Sequence, residues 1–370
     1  MPDHAPAASV HASRPLVLTA DDALLDDLNR FAAAADTPLA VTREISEARR
    51  SWRTAPLILV GVDRADALAS VAPPKRANVV IVVPATGRGE RDVYRTAVAI
   101  GAADVLELPD AESWLTTWIA EAGAPASKDP LTVCVAGGCG GAGATVTAAG
   151  LAVTAAQSGK SVLLVDADPL GGGVDLTLGM EGNEGARWPE FTSRRGRLSA
   201  AALRGALPSV NHLAALSCIR GDTTAIPATA MRAVLNAAVR GAELVVVDLP
   251  RQATPAAVEA LTLADVTLLV VPCEVRGVAA AATTAKILAR HTTDLRVVTR
   301  PGHGQIVDDT VSGSLGLAFA GRIADEPGLA ASLDAGIPPG LAAHGPIARF
   351  CREFLADPRT NGAPELEAAS

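Results

Sequence analysis

The 370-residue sequence has few aromatic residues and more acidic than basic ones. Five Phe, four Trp and one Tyr leave few rings for a base-stacking nucleic-acid platform. Lysine and arginine total 32 against 40 aspartate and glutamate residues, a formal net charge of −8, which disfavours a generally basic nucleic-acid face. Hydrophobic residues make up 49% of the chain, so a large core of Ala, Val and Leu is expected. At about 150 residues per domain, the length predicts two domains or three.

The sequence also lacks a long apolar run and any C-x-x-C pair. No stretch approaches the roughly 18–20 apolar residues of a membrane-spanning helix, and the N-terminal residues contain no apolar signal-peptide core. An odd number of cysteines without close pairs indicates neither a disulfide framework nor a zinc ribbon. We therefore expect a soluble cytoplasmic protein. The five cysteines are Cys134, Cys139, Cys218, Cys273 and Cys351.

Short apolar runs alternate with helical stretches over residues 15–122. This alternation is typical of a doubly wound parallel α/β sheet. Strands are predicted at residues 15–20, 38–42, 56–61, 78–83 and 104–108, and helices at 21–35, 45–53, 64–70, 90–100 and 110–122.

A second α/β domain is predicted over residues 131–356, after a small, polar, Pro-bounded linker at 123–130. The two chain ends, 1–14 and 357–370, are predicted to be disordered tails. Strands of the second domain are predicted at residues 131–136, 161–165, 244–247, 266–271 and 295–299.

The most informative stretch, residues 133–146, is an apolar strand followed by a glycine-rich turn and an Ala-rich helix. Such a turn exposes backbone N–H groups at a helix N-terminus, where a phosphate binds. Gly138, Gly140 and Gly143 match the dinucleotide pattern G-x-G-x-x-G, and Asp166 ends the next strand, where a ribose-binding carboxylate belongs.

The same glycines also match the P-loop pattern G-x-x-x-x-G-K-[ST], with Ala144 in place of the lysine. Later residues favour this second template. Thr145 supplies the hydroxyl that a P-loop gives to magnesium, and Asp248 ends an apolar strand in the manner of a Walker B carboxylate. Asp166 and Asp168 add two carboxylates at the end of another strand. We predict Thr145, Asp166 and Asp248 as magnesium residues and Asp168 and Asp248 as catalytic residues.

Residues 131–340 resemble the MinD/ParA group of P-loop ATPases. Residues 139–145 are similar to its deviant Walker A motif K-G-G-x-G-K-[ST], and residues 166–171 to its D-x-D-x-x-G. Residues 248–250 are similar to its D-x-P switch, and residues 335–338 to its late G-x-P element.

The lysine-free loop and the receiver-like first domain resemble most the CpaE/TadZ branch and its actinobacterial septum-site-determining (Ssd) relatives. The resemblance implies a flavodoxin-like receiver domain followed by a MinD-like P-loop domain. It also implies ATP or ADP with Mg²⁺, a homodimer, and division or pilus and secretion proteins as partners. Recruitment to the septum, the pole or the inner face of the membrane is expected as well. The implied nucleotide-binding residues are Gly138, Cys139, Gly140, Gly141, Ala142, Gly143, Ala144, Thr145 and Val146.

By this resemblance both P-loop lysines are missing. Ala144 replaces the lysine that bridges the phosphates, and Cys139 replaces the family's signature lysine. Phosphoryl transfer depends on positioned positive charge, so we expect nucleotide binding with weak or no hydrolysis. Arg251 and Arg276 are candidate replacement cations, and Arg300 follows Thr299 where the family often has an adenine-reading Asn. A thiol near a helix N-terminus is also a redox candidate, although a small tolerated side chain is the simpler interpretation of Cys139.

The first domain lacks one element of a phosphorylatable receiver. Asp21 and Asp22 follow the first strand, and Asp63 lies near the end of the third, slightly out of register for a phosphoacceptor. Leu108-Pro109 stands where a receiver has Lys-Pro. Without that cation we predict a pseudo-receiver used for docking, whose aspartates cap helices and end strands.

Three functions remain open from the sequence. The leading one is a nucleotide-binding spatial regulator of septum placement and cell division. The others are an active MinD/ParA-type ATPase that positions cargo or assembles a pilus or secretion system, and an NAD-dependent oxidoreductase using G-x-G-x-x-G, for which no His/Lys/Tyr catalytic set is evident. DNA binding is disfavoured by the overall charge, and membrane contact is expected to be indirect or peripheral. The local basic cluster comprises Arg187, Arg194, Arg195, Arg197 and Arg204, beside Trp188 and Phe191.

Overall fold

The computed structural model describes residues 14–76, 78–85, 92–123, 130–192, 198–303 and 306–358. The chain divides into two compact units between residues 126 and 127. Of the predicted tails and linker, residues 14, 123, 130, 357 and 358 are described, and the remainder lies outside the described residues.

The first unit is a five-stranded parallel sheet with the order β2-β1-β3-β4-β5. Because the strand order reverses beside β1, the crossover helices cover both faces of the sheet, as in a doubly wound fold. The strands are β1 (Leu16–Leu18), β2 (Ala40–Thr42), β3 (Ile58–Gly61), β4 (Val79–Val83) and β5 (Asp104–Glu107). The helices are α1 (Asp22–Ala34), α2 (Ile45–Ser51), α3 (Val62–Ser70), α4 (Val93–Ile100) and α5 (Glu112–Gly123).

All five predicted strands and all five predicted helices of this unit are present. The strands are shorter than predicted, because the flanking residues of each apolar run belong to the turns. Helix α3 begins at Val62, two residues before its predicted start, directly after the last residue of β3. The predicted start of α4, at residue 90, lies outside the described residues.

The second unit is an eight-stranded sheet with the order β13-β12-β11-β6-β10-β7-β9-β8. Every neighbouring pair is parallel except β8 and β9, which are antiparallel. The strands are β6 (Leu131–Gly137), β7 (Val162–Asp166), β8 (Ser209–Val210), β9 (Leu213–Leu216), β10 (Leu244–Leu249), β11 (Val266–Pro272), β12 (Leu295–Arg300) and β13 (Ala318–Arg322).

Helices cover both faces of this sheet, which explains why the central strands are continuous apolar runs. No helix in the described part of the chain is both long and apolar enough to cross a bilayer. The helices are α6 (Ala144–Gln157), α7 (Val174–Thr177), α8 (Trp188–Thr192), α9 (Ala200–Ala206), α10 (Ala228–Gly241), α11 (Pro255–Leu263), α12 (Val275–Leu288), α13 (Asp308–Leu315), α14 (Leu329–Asp334) and α15 (Pro346–Ala356).

The sequence correctly predicts the five central strands of this unit but misses β8, β9 and β13. β13 and β8 are the two edge strands of the sheet and β9 lies next to β8, in regions where apolar runs are short or interrupted. β8 has two residues, β9 reads LAAL, and β13 reads AFAGR and is partly exposed.

Candidate nucleotide site

The glycine loop joins the carboxyl end of β6 to the N-terminus of α6 at an edge where parallel α/β sheets bind ligands. Gly141 has φ +73° and Gly143 φ +91°, backbone conformations that L side chains rarely adopt. Gly143 is the N-cap of α6 and offers no side-chain cap, so the first N–H groups of the helix remain available to an anion.

The first half of the loop is held by the neighbouring elements. Gly138 N donates to Val270 O at 2.8 Å, and its carbonyl accepts from Thr284 Oγ1 at 3.3 Å. A Cβ at Gly138 would lie 2.6 Å from Ala281 Cβ, so no larger residue fits there. Gly140 and Gly141 face open space, with nothing within 4 Å of an added Cβ. The loop is therefore fixed at its base and open where a ligand would enter.

Thr145 and Asp248 meet at the foot of the loop. Asp248 lies on β10, directly beside β6, and is 4% exposed. The Thr145 side chain lies near enough to the Asp248 carboxylate to act on its pKa. The pKa of Asp248 is raised to about 7, chiefly by burial; the Thr145 hydroxyl opposes this shift, and the negative charges of Asp166 and Asp168 contribute to it.

Asp166, the third predicted magnesium residue, pairs in register with Asp248. It is 2% exposed, and its two oxygens accept backbone N–H groups from Asp168 at 3.0 Å, Val174 at 3.3 Å and Cys218 at 3.4 Å. Burial outweighs these hydrogen bonds and raises the pKa of Asp166 to about 6. Asp166 thus organises the loop after β7, in which the half-buried Asp168 accepts from Leu170 N at 3.0 Å.

This donor set fits a magnesium ion. Mg²⁺ takes oxygen ligands, keeps several waters and usually needs one or two carboxylates beside a phosphate. Thr145 and Asp248 supply a hydroxyl and a buried carboxylate whose negative charge a cation would compensate. Within the described ranges no three His, Cys, Asp or Glu side chains form a direct metal cage.

The two missing lysines are replaced by small side chains without charge at neutral pH. Ala144 is the first residue of α6 and packs against the core. Cys139 is partly exposed, and its pKa is raised by partial burial and by the negative charge of Glu274, against the opposing charge of Arg251. A raised pKa disfavours the thiolate, so the redox interpretation of Cys139 gains no support.

The sequence reasoning missed the cation that contacts the loop. The Nη1 atom of Arg300 occupies the space that a Cβ on Gly143 would fill, and Arg300 Cζ lies 3.1 Å from that position. Arg251 and Arg276, the two predicted replacements, are exposed. Residue spacing carries no signal for this role of Arg300, because Arg300 lies 157 positions after Gly143.

The loop after Asp166 is anchored by a buried ion-pair network. Asp175, with its side chain 3% exposed, accepts from Arg187 Nη2 at 3.2 Å, Arg220 Nη1 at 2.9 Å and Ser217 Oγ at 3.0 Å. Trp188 Nε1 donates to Asp166 O at 2.6 Å. This network ties α7, α8 and the segment after β9 to the strand that carries Asp166.

The described members of the predicted basic cluster have internal partners. Arg187 belongs to the Asp175 network, and Arg204 donates to Gly241 O at 3.0 Å and to Ser161 Oγ. Trp188 and Phe191 are 3% and 5% exposed and therefore offer no stacking surface. Arg194, Arg195 and Arg197 lie outside the described residues.

In the first unit, the candidate acceptor Asp63 is occupied by hydrogen bonds. Its carboxylate accepts from Thr19 Oγ1 and Ala20 N, each at 2.7 Å. Asp21 caps α1 by accepting from the N–H groups of Ala23 and Leu24, and Asp22 pairs with Arg43. Leu108, at the predicted lysine position, is 7% exposed and part of the core.

Comparison with known families matches both units. Residues 18–130 match the family described as Rv3660c-like, CheY-like N-terminal domain, and residues 133–293 match the CobQ/CobB/MinD/ParA nucleotide binding domain. The Mycobacterium tuberculosis (strain H37Rv) relative "Uncharacterized protein Rv3660c" is 36% identical over 322 residues, which cover 85% of this chain and 90% of the relative. The chain belongs to the Rv3660c-like family. The same values hold for "Uncharacterized protein MT3760" of strain CDC 1551.

Solved structures show the fold of the nucleotide-binding unit of this Rv3660c-like protein. A ParA family ATPase from Chlorobium tepidum TLS gives a TM-score of 0.53 at 16% identity, over 61% of this chain and 99% of the ATPase. The MinD cell division protein of Aquifex aeolicus gives a TM-score of 0.51 at 21% identity, over 61% of this chain and 98% of the MinD chain. A chain of the MinC:MinD cell division protein complex from Aquifex aeolicus gives a TM-score of 0.50 at 20% identity, over 61% of this chain and 96% of that chain. The predicted receiver-like and MinD/ParA fold classes are therefore confirmed.

Proposed function

We propose that this Rv3660c-like protein binds ATP or ADP with Mg²⁺ on the loop 138–146 and acts as a nucleotide-dependent spatial regulator with weak or no hydrolysis. The observation that carries the proposal is the juxtaposition of the Thr145 hydroxyl and the buried Asp248 carboxylate at the foot of the glycine loop. A dinucleotide-binding loop has no need of such a pair, whereas a P-loop uses a hydroxyl and a strand-end carboxylate for magnesium.

Each part of the site has a role in this proposal. The backbone N–H groups of the loop, together with the N-terminus of α6, would bind the phosphates. Thr145 and Asp248 would hold Mg²⁺, directly or through water, while Asp166 braces the neighbouring loop and Asp168 faces the same site. Bound Mg²⁺ would neutralise phosphate charge.

Slow turnover follows from the loss of both lysines, at Cys139 and Ala144. A phosphoryl group in transfer carries charge that positioned cations must stabilise. A transition state under-stabilised by about 3–4 kcal/mol is reached roughly 10²–10³ times more slowly. Such a protein keeps the nucleotide as a bound switch, with the nucleotide state setting how partners are recruited.

The biological role is proposed at the level of septum placement and cell division. Two solved structures of this fold are named as a MinD cell division protein and a MinC:MinD cell division protein complex. We propose by analogy a homodimer that recruits division proteins at the septum or pole, with pilus or secretion assembly as the second candidate process. An NAD-dependent oxidoreductase is less well supported, since Asp166 is 2% exposed and its oxygens already accept three backbone N–H groups.

Calorimetry on the full chain tests the ligand. We expect ATP or ADP to bind in the presence of Mg²⁺ and NAD to give no signal. Thr145→Val removes the hydroxyl at nearly constant volume and should weaken magnesium-dependent affinity about tenfold, the cost of one charge-assisted hydrogen bond. The matched control is Thr262→Val, an exposed threonine on α11, which should bind as the wild type does. Binding of NAD alone would contradict the proposal.

Steady-state ATP hydrolysis and a cellular phenotype test whether the protein acts through hydrolysis or through nucleotide binding. Purified protein should hydrolyse ATP barely above background, while changed expression should disturb septum placement or, for the second candidate, pilus assembly. If turnover is robust and Asp248→Ala abolishes both turnover and phenotype, hydrolysis is the output and the regulator proposal fails.

A further inference from the structure

We propose that Arg300 replaces the missing P-loop lysine as the cation that contacts the nucleotide phosphates, an inference that rests on the proposed nucleotide function. Arg300 is the last residue of β12, which lies two strands from β6, about 10 Å across the sheet. Its guanidinium nevertheless reaches Gly143, the N-cap of α6. The residue after Gly143 is Ala144, the position of the lost lysine.

The electrostatics of this position indicate an anion. The N-terminus of a helix carries partial positive charge, so a guanidinium beside the 14-residue helix α6 is unfavourably placed. In the described part of the chain, the Arg300 guanidinium makes no ion pair or hydrogen bond that would offset this, although the Arg300 carbonyl accepts from Cys273 N at 2.8 Å. A phosphate bound between the guanidinium and the helix N–H groups would accept hydrogen bonds from both and compensate their positive charge.

The chemistry of arginine suits this position. A guanidinium contacts phosphate oxygens through two parallel N–H donors and stays charged at any physiological pH. Arg300 therefore restores the charge that Ala144 lacks, from a different strand and with a different geometry. Position 143 requires glycine for two reasons. Its φ of +91° would strain any side chain, and a Cβ would occupy the place of Arg300 Nη1.

The other candidate cations are placed differently. The charge of Arg251 is felt at Cys139, the position of the signature lysine, where Glu274 opposes it. Both Arg251 and Arg276 are exposed, whereas Arg300 is half-buried against the loop. The described residues thus give Arg300 the direct contact with the N-terminus of α6.

Binding of Mg²⁺–ATP and Mg²⁺–ADP to the full chain, measured by calorimetry, tests the proposal. Arg300→Ala and Arg300→Gln should weaken both ligands about 10- to 100-fold, the range for a charge-assisted hydrogen bond to phosphate. Arg300→Lys should lose less affinity than these two variants, because lysine keeps a positive point charge at this position. The matched control is Arg290→Ala, an exposed arginine beyond the far end of α12, which should bind as the wild type does.

A second-site rescue separates phosphate contact from a structural role. In the Arg300→Ala background, Ala144→Lys places a cation back at the P-loop position and should recover most of the lost affinity. Affinity that is unchanged or tighter in Arg300→Ala, or unrescued by Ala144→Lys, would overturn the inference while leaving the proposed function standing. Absence of ATP and ADP binding in the wild type would overturn both.

Discussion

At the scale of single residues, the site contains two buried carboxylates whose burial in the charged form lowers the stability of the fold. Asp248 and Asp166 have pKa values raised to about 7 and about 6 from a usual value of 3.8, chiefly because burial disfavours the charged form. A carboxyl with a raised folded-state pKa stabilises the fold fully below pH 4, where it is protonated in both states. That contribution is lost as pH rises through the folded-state pKa.

Asp248→Asn should therefore remove part of the pH dependence of stability. Between pH 4.5 and pH 8 we expect the free energy of unfolding of the variant to rise relative to that of the wild type, by on the order of a few kcal/mol. Each unit of pKa shift corresponds to about 1.4 kcal/mol. Asparagine keeps an oxygen that can accept the Thr145 hydroxyl, which isolates the charge. Urea unfolding at a series of pH values without nucleotide or Mg²⁺ measures the effect.

The control for this experiment is Asp222→Asn. Asp222 is partly exposed, and its pKa is lowered by the Thr224 side chain, so this variant should show no gain in stability toward high pH. Stability curves for Asp248→Asn and the wild type that stay parallel from pH 4.5 to 8 would show that Asp248 has an ordinary pKa.

At the scale of elements, small residues let the chain after β13 approach the P-loop helix and the turn after α7. Gly150 on α6 packs against Ile347 of α15, and a Cβ at Gly340 would lie 2.9 Å from Gly150 O. A Cβ at Gly179 would collide with Gly336 O and lie 2.9 Å from Gly336 C. The segment 335–338 identified in the sequence thus contacts the turn that follows α7.

Gly179→Ala should destabilise the second unit more than its backbone conformation alone explains. Gly179 has φ +65°, which costs an alanine about 1–2 kcal/mol, and the collision with Gly336 should add roughly 1–3 kcal/mol. Gly316→Ala separates the two effects, because Gly316 has φ +62° with nothing within 4 Å of an added Cβ. Equal free energies of unfolding for the two variants would remove any role for the Gly336 contact.

At the scale of the whole molecule, a receiver-like unit with leucine in place of the receiver lysine accompanies the nucleotide-binding unit. The core residue Leu108 stands where a receiver has its lysine, and Asp63 is held by Thr19 and Ala20. Phosphorylation would attach to one of the two Asp63 oxygens that accept these hydrogen bonds, and would add charge with no cation from position 108 to compensate it.

Acetyl phosphate should therefore leave this protein unlabelled. Intact-mass spectrometry, with a phosphorylatable response regulator treated in parallel, measures the result. Stable phosphorylation of Asp63, Asp21 or Asp22 would show that the first unit is a working receiver, and the pseudo-receiver prediction would then be wrong.

The amino-acid sequence by itself was enough to predict both fold classes. Alternating apolar runs and helical stretches predict doubly wound sheets because the patterning of each element is local. The glycine loop, Thr145 and the carboxylates at strand ends are also local signals, since each sits at a fixed distance from its own strand. The edge strands β8 and β13 were missed because pairing at a sheet edge depends on distant neighbours more than on local pattern.

Contacts between distant segments were decided by the tertiary structure alone. Strand order brings Arg300 to Gly143 across 157 residues, and it buries Asp166 among N–H groups from Val174 and Cys218. It also pairs Arg187, one member of the predicted basic cluster, with Asp175. No spacing rule encodes such contacts, because a side chain's partner depends on which strands become neighbours in the sheet. The residues that could receive phosphate are visible in the sequence, and the cation that contacts them becomes visible when the sheet is assembled.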